Sequence, residues 1–160
     1  MYVTFSRFFL GDSISKNESL RKRIVAGYEA MLNHEAKLTK RFLAGVSNIP
    51  GLKVYGNKDL DSTLNGKRTP TFALRMDGLK TAGELADQLL DEKIICGAGH
   101  FYAKYFAEGL GLMPTGGYVR VGFAHYNTLE EIDRVIEVLV QISKACHFDC
   151  ENIDGNWTGL

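Results

Sequence analysis

The chain has 160 residues, with 19 Lys and Arg balanced by 19 Asp and Glu, 45% hydrophobic residues and 24% charged ones. That length suits one domain with its own core, and the composition is that of a folded globular chain, unlike the depleted, highly charged composition of disordered ones. The charge balance argues against nucleic acid and an anionic membrane surface as partners, because both reward a basic excess.

The opening residues, MYVTFSRFFLGDS, are apolar in flavour, but Arg7 interrupts them and no small-residue cleavage site follows, so they read as neither signal peptide nor membrane span. Residues 1–14 are taken as an extension. From Ser15 to about Val46, Ile24, Val25, Tyr28, Met31, Leu32, Leu38, Phe42, Leu43 and Val46 recur at three- and four-residue steps. That spacing predicts one long amphipathic helix, with Ser15 and Glu18 as its capping box. Arg21, Lys22, Arg23, Lys37, Lys40 and Arg41 fall on its other side and read as a solvated face.

The helix should stop before Pro50; Leu52 to Tyr55 then reads as a strand closed by Gly56, and Asn57 to Arg68 as a polar loop. In TPTFALRMDG, Phe72, Leu74 and Met76 alternate with Thr71, Ala73 and Arg75, so a strand buries the first set and turns Arg75 to the other face. Thr81 and Glu84 form a second capping box, opening a helix with Leu85, Leu89 and Leu90 on its apolar side.

KIICGAG reads as a short buried strand, and HFYAKYFAEGLGL as a short helix with Phe101, Tyr105 and Phe106 packing inward. In GGYVRVGFAHYN, Val119, Val121 and Phe123 point one way while Tyr118, Arg120 and Gly122 point the other. A third capping box, Thr128 to Glu131, opens a final helix carrying Ile132, Val135, Ile136, Leu139 and Val140. Residues 147–160 are expected to form a flexible tail, its last ten residues lacking any periodicity.

The expected fold is α+β: a small mixed or antiparallel sheet with helices packed on one face, preceded by a long N-terminal helix. A strand–helix–strand unit has parallel strands, and the later strand can insert antiparallel between them.

Cys96, Cys146 and Cys150 show no disulfide-framework spacing, so reduced thiols in a cytoplasm are the simpler reading. Cys146, His147 and Cys150 are metal-ligand types, but no second ligand pair at a zinc spacing accompanies them, and no metal site is expected. The glycines at 97, 99, 109, 111, 116 and 117 fit neither a P-loop nor a dinucleotide turn and read as turns and close packing. His100 and His125 are candidate general bases only if a nucleophile stands beside them; a structural role is the simpler reading for each. Arg120 is different. It lies in a strand whose other face is apolar, where a cation is costly unless an anion or water receives it, and its planar fork suits a carboxylate. The plain alternative is a surface arginine on a half-exposed strand.

The run GGYVRVGFAHYNTLEEIDRVIEVL resembles the closing motif of the class-V aminotransferases, pyridoxal-phosphate enzymes that include the cysteine desulfurases. RTPTFALRMDG, GAGHFYA, and SLRKRIVAGYEAMLNHEAKLTKRFL followed by NIPGLKVYG resemble that family in order and spacing, over roughly residues 8 to 145. The resemblance implies that residues 15–146 are the small carboxyl-terminal domain that closes over a cofactor site built mainly by a larger domain. It implies that Arg120 holds the α-carboxylate of an amino-acid substrate, and places His100, Tyr102 and Asn127 among the substrate-binding residues.

Cysteine desulfurases carry their sulfur-accepting cysteine in R-x-G-x-x-C-A; here the corresponding run is Gly97 to Ala103, with Tyr102 at the cysteine position and Gly97 at the arginine. Desulfurase chemistry by that cysteine is therefore not expected, and Cys96 stands at a different position. The family's Schiff-base lysine, its acid facing the pyridine nitrogen and its phosphate cradle all precede the aligned region. No pyridoxal phosphate is thus expected on this chain alone, which would act with a cofactor-binding large domain as a truncated product, a split enzyme or an excised domain. The alternative is a free-standing α+β module for partner binding or self-association.

Overall fold

The structure, a computed structural model, describes residues 18–153 of the chain, with side chains through residue 147. Helix α1 spans Leu20–Val46, and Ser19 caps it by accepting a hydrogen bond from the Lys22 N–H at 3.4 Å. The described helix thus opens at Ser19; the expected cap, Ser15, lies outside the described residues. The chain turns at Pro50 and Gly51 (φ 71°) into β1, Leu52–Tyr55.

The loop to β2, Thr71–Met76, is fastened at several points. Asn57 and Asp59 form successive Asx turns, each side chain accepting from the backbone two residues on: Asp59 N–H donates to Asn57 Oδ1 (2.9 Å) and Asp61 N–H to Asp59 Oδ1 (3.0 Å). Buried Thr63 donates to Thr39 on α1, and Arg68 bonds the carbonyls of Asn57 and Thr71 while lying over the Phe72 ring.

Helix α2, Ala82–Asp91, begins at the Thr81 cap, which accepts from Glu84 N–H at 3.2 Å. The Glu84 carboxylate reaches one residue further back than a standard box, to the Lys80 N–H at 2.7 Å. Strand β3 is Gly97–Gly99, and helix α3 is Lys104–Gly109. A 3-10 turn at Met113–Thr115 leads into β4, Tyr118–Gly122. Helix α4, Leu129–Ile153, opens with a reciprocal box: Glu131 N–H donates to Thr128 Oγ1 (3.2 Å) and Thr128 N–H to Glu131 Oε2 (2.9 Å). Its backbone runs seven residues into the stretch read as tail.

The sheet order is β1-β2-β4-β3 with every pairing antiparallel, so β2 and β3 run parallel to each other with β4 between them. This is the expected α+β arrangement. One face carries Phe72, Leu74, Met76, Val119 and Val121 into a core closed by α1, α2 and α4. At its centre Phe42, Phe72 and Phe123 meet with ring centroids 4.4 to 5.6 Å apart, within the range of favourable aromatic pairs. Helices α1 and α4 approach so closely at Gly45 that a Cβ there would stand 2.3 Å from Ile136 Cδ1. Arg41 adds a two-pronged bond to Asp133 (2.6 and 3.0 Å) between the same helices.

Three expectations are corrected. β3 is exposed, because two of its three residues are glycines with nothing to bury and it forms the sheet edge; its neighbour Ile95 is 88% exposed. In α3 the buried residue is Ala107, while Tyr105 and Phe106 are exposed: a helix of six residues has one inward face, and it seats on Leu112 and Tyr118 on the sheet's other side. Leu90, and Val25, Tyr28 and Leu32 on the first half of α1, are likewise exposed.

Phe72 is fully buried at the centre of the aromatic triad. Phe72→Ala should cost about 3–5 kcal/mol of stability through lost transfer energy and the cavity left behind. Urea unfolding of the purified chain measures this, and a loss under about 1 kcal/mol would show that the core closes over the gap.

Candidate functional site

Strand β4 sets the site. Its core-facing residues Val119 and Val121 are buried, and the period of two turns Tyr118 and Arg120 to the opposite face, where Arg120 is exposed. The residues opposite Arg120 on the neighbouring strands are Ala73 and Gly97. Neither has a side chain long enough to cover a guanidinium, so the sheet leaves open ground around it.

What meets Arg120 comes from the loop after β3. Its guanidinium carbon lies 4.1 Å from the centroid of the Phe101 ring, within cation–π range. Phe101 and Tyr102 both adopt left-handed backbone (φ 48° and 65°), which is strained for bulky residues. The turn is closed by the Ala103 N–H donating to the His100 carbonyl at 2.8 Å; the Tyr118 hydroxyl donates to the same oxygen at 3.4 Å. Tyr102 is fully exposed at the tip. His100 is half-buried, and its Nδ1 is enclosed with no hydrogen-bond partner, which marks it as a group that water or a guest would satisfy.

Arg120, His100 and Tyr102 are thus on or beside one surface. Asn127 is engaged elsewhere: its Oδ1 accepts from Ala124 N–H (2.8 Å), its Nδ2 donates to Glu131 (3.0 Å), and its carbonyl lies 2.8 Å from His34 Nε2. It fastens the turn between β4 and α4. Arg75, on the same sheet face as Arg120, is buried and donates to the Thr115 carbonyl at 3.1 Å, a structural use of a cation that alternation alone did not reveal.

Cys96 precedes Gly97, and burial pushes its thiol up. An activated nucleophilic cysteine requires the reverse shift. Among the described residues no three His, Cys, Asp or Glu side chains converge as a metal site; the side chain of Cys150 lies outside them. A second titratable group, which the sequence pattern did not single out, is Glu35 on α1. Burial raises its carboxyl, opposed by His125, whose Nδ1 is 3.9 Å away, and by His34. It borders a groove of about 780 Å³ along the first half of α1, lined by Ile24, Val25, Tyr28 and Leu32.

This arrangement of a split antiparallel sheet with an arginine on its open face has relatives. The family described as Aminotransferase class-V matches residues 14–135. The chain belongs to the class-V aminotransferases. A probable cysteine desulfurase of Methanothermobacter thermautotrophicus is 31% identical over 122 residues, which are 73% of this chain and 28% of that protein. An aminotransferase-like protein of Gibberella zeae, FGM3, is 28% identical over 72% of this chain and 28% of its own length. Among solved structures, the apo cysteine desulfurase of Thermococcus onnurineus superposes with a TM-score of 0.66 at 27% identity, covering 78% of this chain and 29% of the other.

The chain therefore spans under a third of these relatives. The class-V family uses pyridoxal phosphate, which needs a lysine shielded enough to present a neutral amine. Every lysine among the described residues is exposed, so they offer the cofactor no such group.

Two outcomes follow from this geometry. Tyr102→Gly removes left-handed strain at an exposed site, partly offset by the greater chain entropy of glycine, and should raise stability by about 0.5–1 kcal/mol, or about 1–4 °C in Tm. Calorimetry checks this; a lower Tm would mean that the tyrosine contributes packing. Glu131 is held below its ordinary value of 4.5 chiefly by the Asn127 side chain and then by the Thr128 N–H. A depressed carboxyl adds stability above its unfolded value and loses it as pH falls through the folded one. Glu131→Gln should therefore lower Tm slightly at neutral pH, with the difference closing below pH 4.5. A difference independent of pH would show that charge is not what the turn uses.

Proposed function

We propose that residues 15–146 act as the small carboxyl-terminal domain of a pyridoxal-phosphate enzyme, receiving the α-carboxylate of an amino-acid substrate on Arg120 and closing a site whose cofactor is held outside these 160 residues. The observation that carries this is the place of Arg120: a free guanidinium edge on the open sheet face, flanked by Ala73 and Gly97 and backed by Phe101. A guanidinium so placed binds a carboxylate through two charge-assisted hydrogen bonds and orients it. His100 and Tyr102 belong to the rim of this site, and Asn127 contributes by fixing the turn that follows β4.

The cofactor would supply the electron sink for bonds at the substrate's α-carbon. The described residues offer no shielded lysine for it, and in this reading the chain alone neither carries it nor catalyses. Its partner is a cofactor-binding large domain, in the same polypeptide or another. Exposed Tyr102, Tyr105 and Phe106, on α3 and the turn before it at the Arg120 face, support such a covering body, as large exposed apolar side chains mark interfaces. A cytoplasmic setting, in which Cys96 and Cys146 stay reduced, fits this reading. Among the described residues no helix is long and apolar enough to cross a membrane.

The test is reconstitution with the cofactor-binding domain of a related enzyme. Arg120→Ala should weaken apparent amino-acid affinity by about one to two orders of magnitude, the worth of charge-assisted bonds in a covered site, with cofactor absorbance unchanged. Arg120→Lys should recover little, because an ammonium lacks the fork. Cys96→Ala should leave activity intact. Tolerance of Arg120→Ala together with loss of activity in Cys96→Ala would overturn the reading in favour of a displaced sulfur nucleophile.

A further inference from the structure

We infer that Phe101 is a positioning residue for the Arg120 guanidinium, and that its ring reaches that place because position 97 is a glycine. The inference rests on the reading of Arg120 as a carboxylate site. The ring occupies one side of the guanidinium, 4.1 Å from its carbon. The ring itself is held from two directions. A Cβ on Gly97 would stand 3.2 Å from Phe101 Cε1 and 3.3 Å from Cζ, tighter than ordinary packing, so the ring lies directly against the bare backbone of β3. On the other side it meets Tyr118, whose ring centroid is 5.6 Å away. The left-handed backbone at Phe101 (φ 48°) is the geometry that folds the side chain back over β3. Strain of this kind persists where surrounding contacts over-determine it, and here those contacts end on the arginine.

An arginine alone on an exposed sheet face samples many rotamers, and a carboxylate must freeze them to be gripped at two points. A ring fixed beneath the guanidinium removes part of that freedom beforehand. It also blocks one side, so a guest must approach along the remaining edge. The class of guest is a small carboxylate, and the function of the ring is to raise affinity by preorganisation without touching the guest.

The experiment is nuclear magnetic resonance on the 160-residue chain labelled with 15N-arginine, the Arg120 Nε–Hε signal assigned with Arg120→Lys. Propionate is titrated against chloride at constant ionic strength. In the wild type the Arg120 Hε should be shifted upfield by the ring current of Phe101, and propionate should move it. Phe101→Leu should abolish the upfield shift and weaken apparent propionate affinity about two- to fivefold, the range expected for an exposed cation–π contact. Phe101→Tyr should restore both. Gly97→Ala, which displaces the ring without removing it, should give an intermediate shift and affinity; it tests the same contact if Phe101→Leu fails to fold. Equal propionate response in wild type and Phe101→Leu overturns the positioning role alone. An unchanged Hε shift in both Phe101→Leu and Gly97→Ala overturns the contact. If propionate moves no Arg120 signal even in the wild type, the carboxylate reading falls and this inference falls with it.

Discussion

Strand β4 is hydrogen-bonded on both sides, to β2 and to β3, and the rest of the architecture follows from how that double pairing fixes its register. With Val119 and Val121 packed under the Phe42, Phe72 and Phe123 rings, Arg120 must emerge on the other face. A slip of one residue would drive the guanidinium into that aromatic core, where an unpaired cation costs far more than the register gains. The hydrophobic alternation of one five-residue strand therefore decides both where the helices pack and where the cation is presented. α1, α2 and α4 all cover the valine face, leaving the arginine face to the short helix α3 and the loop before it.

On that second face, close backbone approach does what side-chain packing does on the first. At Gly117 (φ 82°) a Cβ would stand 2.3 Å from the Gly99 carbonyl oxygen, so any larger residue would separate β3 from β4 at the end where the Phe101 loop departs. Gly97, further along the same strand, leaves the floor on which the Phe101 ring lies. The strained residues Phe101 and Tyr102 follow, and the strain at Phe101 is offset by the contacts of its ring with β3 and Tyr118 that those glycines permit.

The parts of this fold written in long periods were legible beforehand. The spacing of Leu38, Phe42 and Val46 placed the core half of α1, the alternation through Phe72 to Met76 and Val119 to Phe123 placed the two central strands, and Thr128 with Glu131 placed the start of α4. Periodicity states which residues share a face and is silent on what covers that face. Val25, Tyr28 and Leu32 continue the α1 stripe and yet are exposed. Of the candidate site, alternation gives the face of Arg120, while Arg75, a cation in an equally alternating strand, is buried on the same face. Residue type makes Phe101 an inward-packing helix residue, because left-handed backbone at a phenylalanine has no signature there. The resemblance makes Asn127 a binding residue; its bonds to Ala124 and Glu131 become visible only when the turn is folded.

The open face also bears on how strong its arginine can be. An exposed pair of opposite charges in water is worth about 0–1 kcal/mol, whereas charge-assisted hydrogen bonds shielded from solvent reach about 1.5–3 kcal/mol. Arg120 with its edge in solvent belongs to the first case, and the ring of Phe101 shields only one side. A body seated on Tyr102, Tyr105 and Phe106 would exclude water from the remaining sides and move the same guanidinium into the second. Under the proposed reading, substrate affinity would then be a property of closure: a carboxylate would be held weakly while the face is open and firmly once it is covered, which would couple recognition of the substrate to assembly of the site around it.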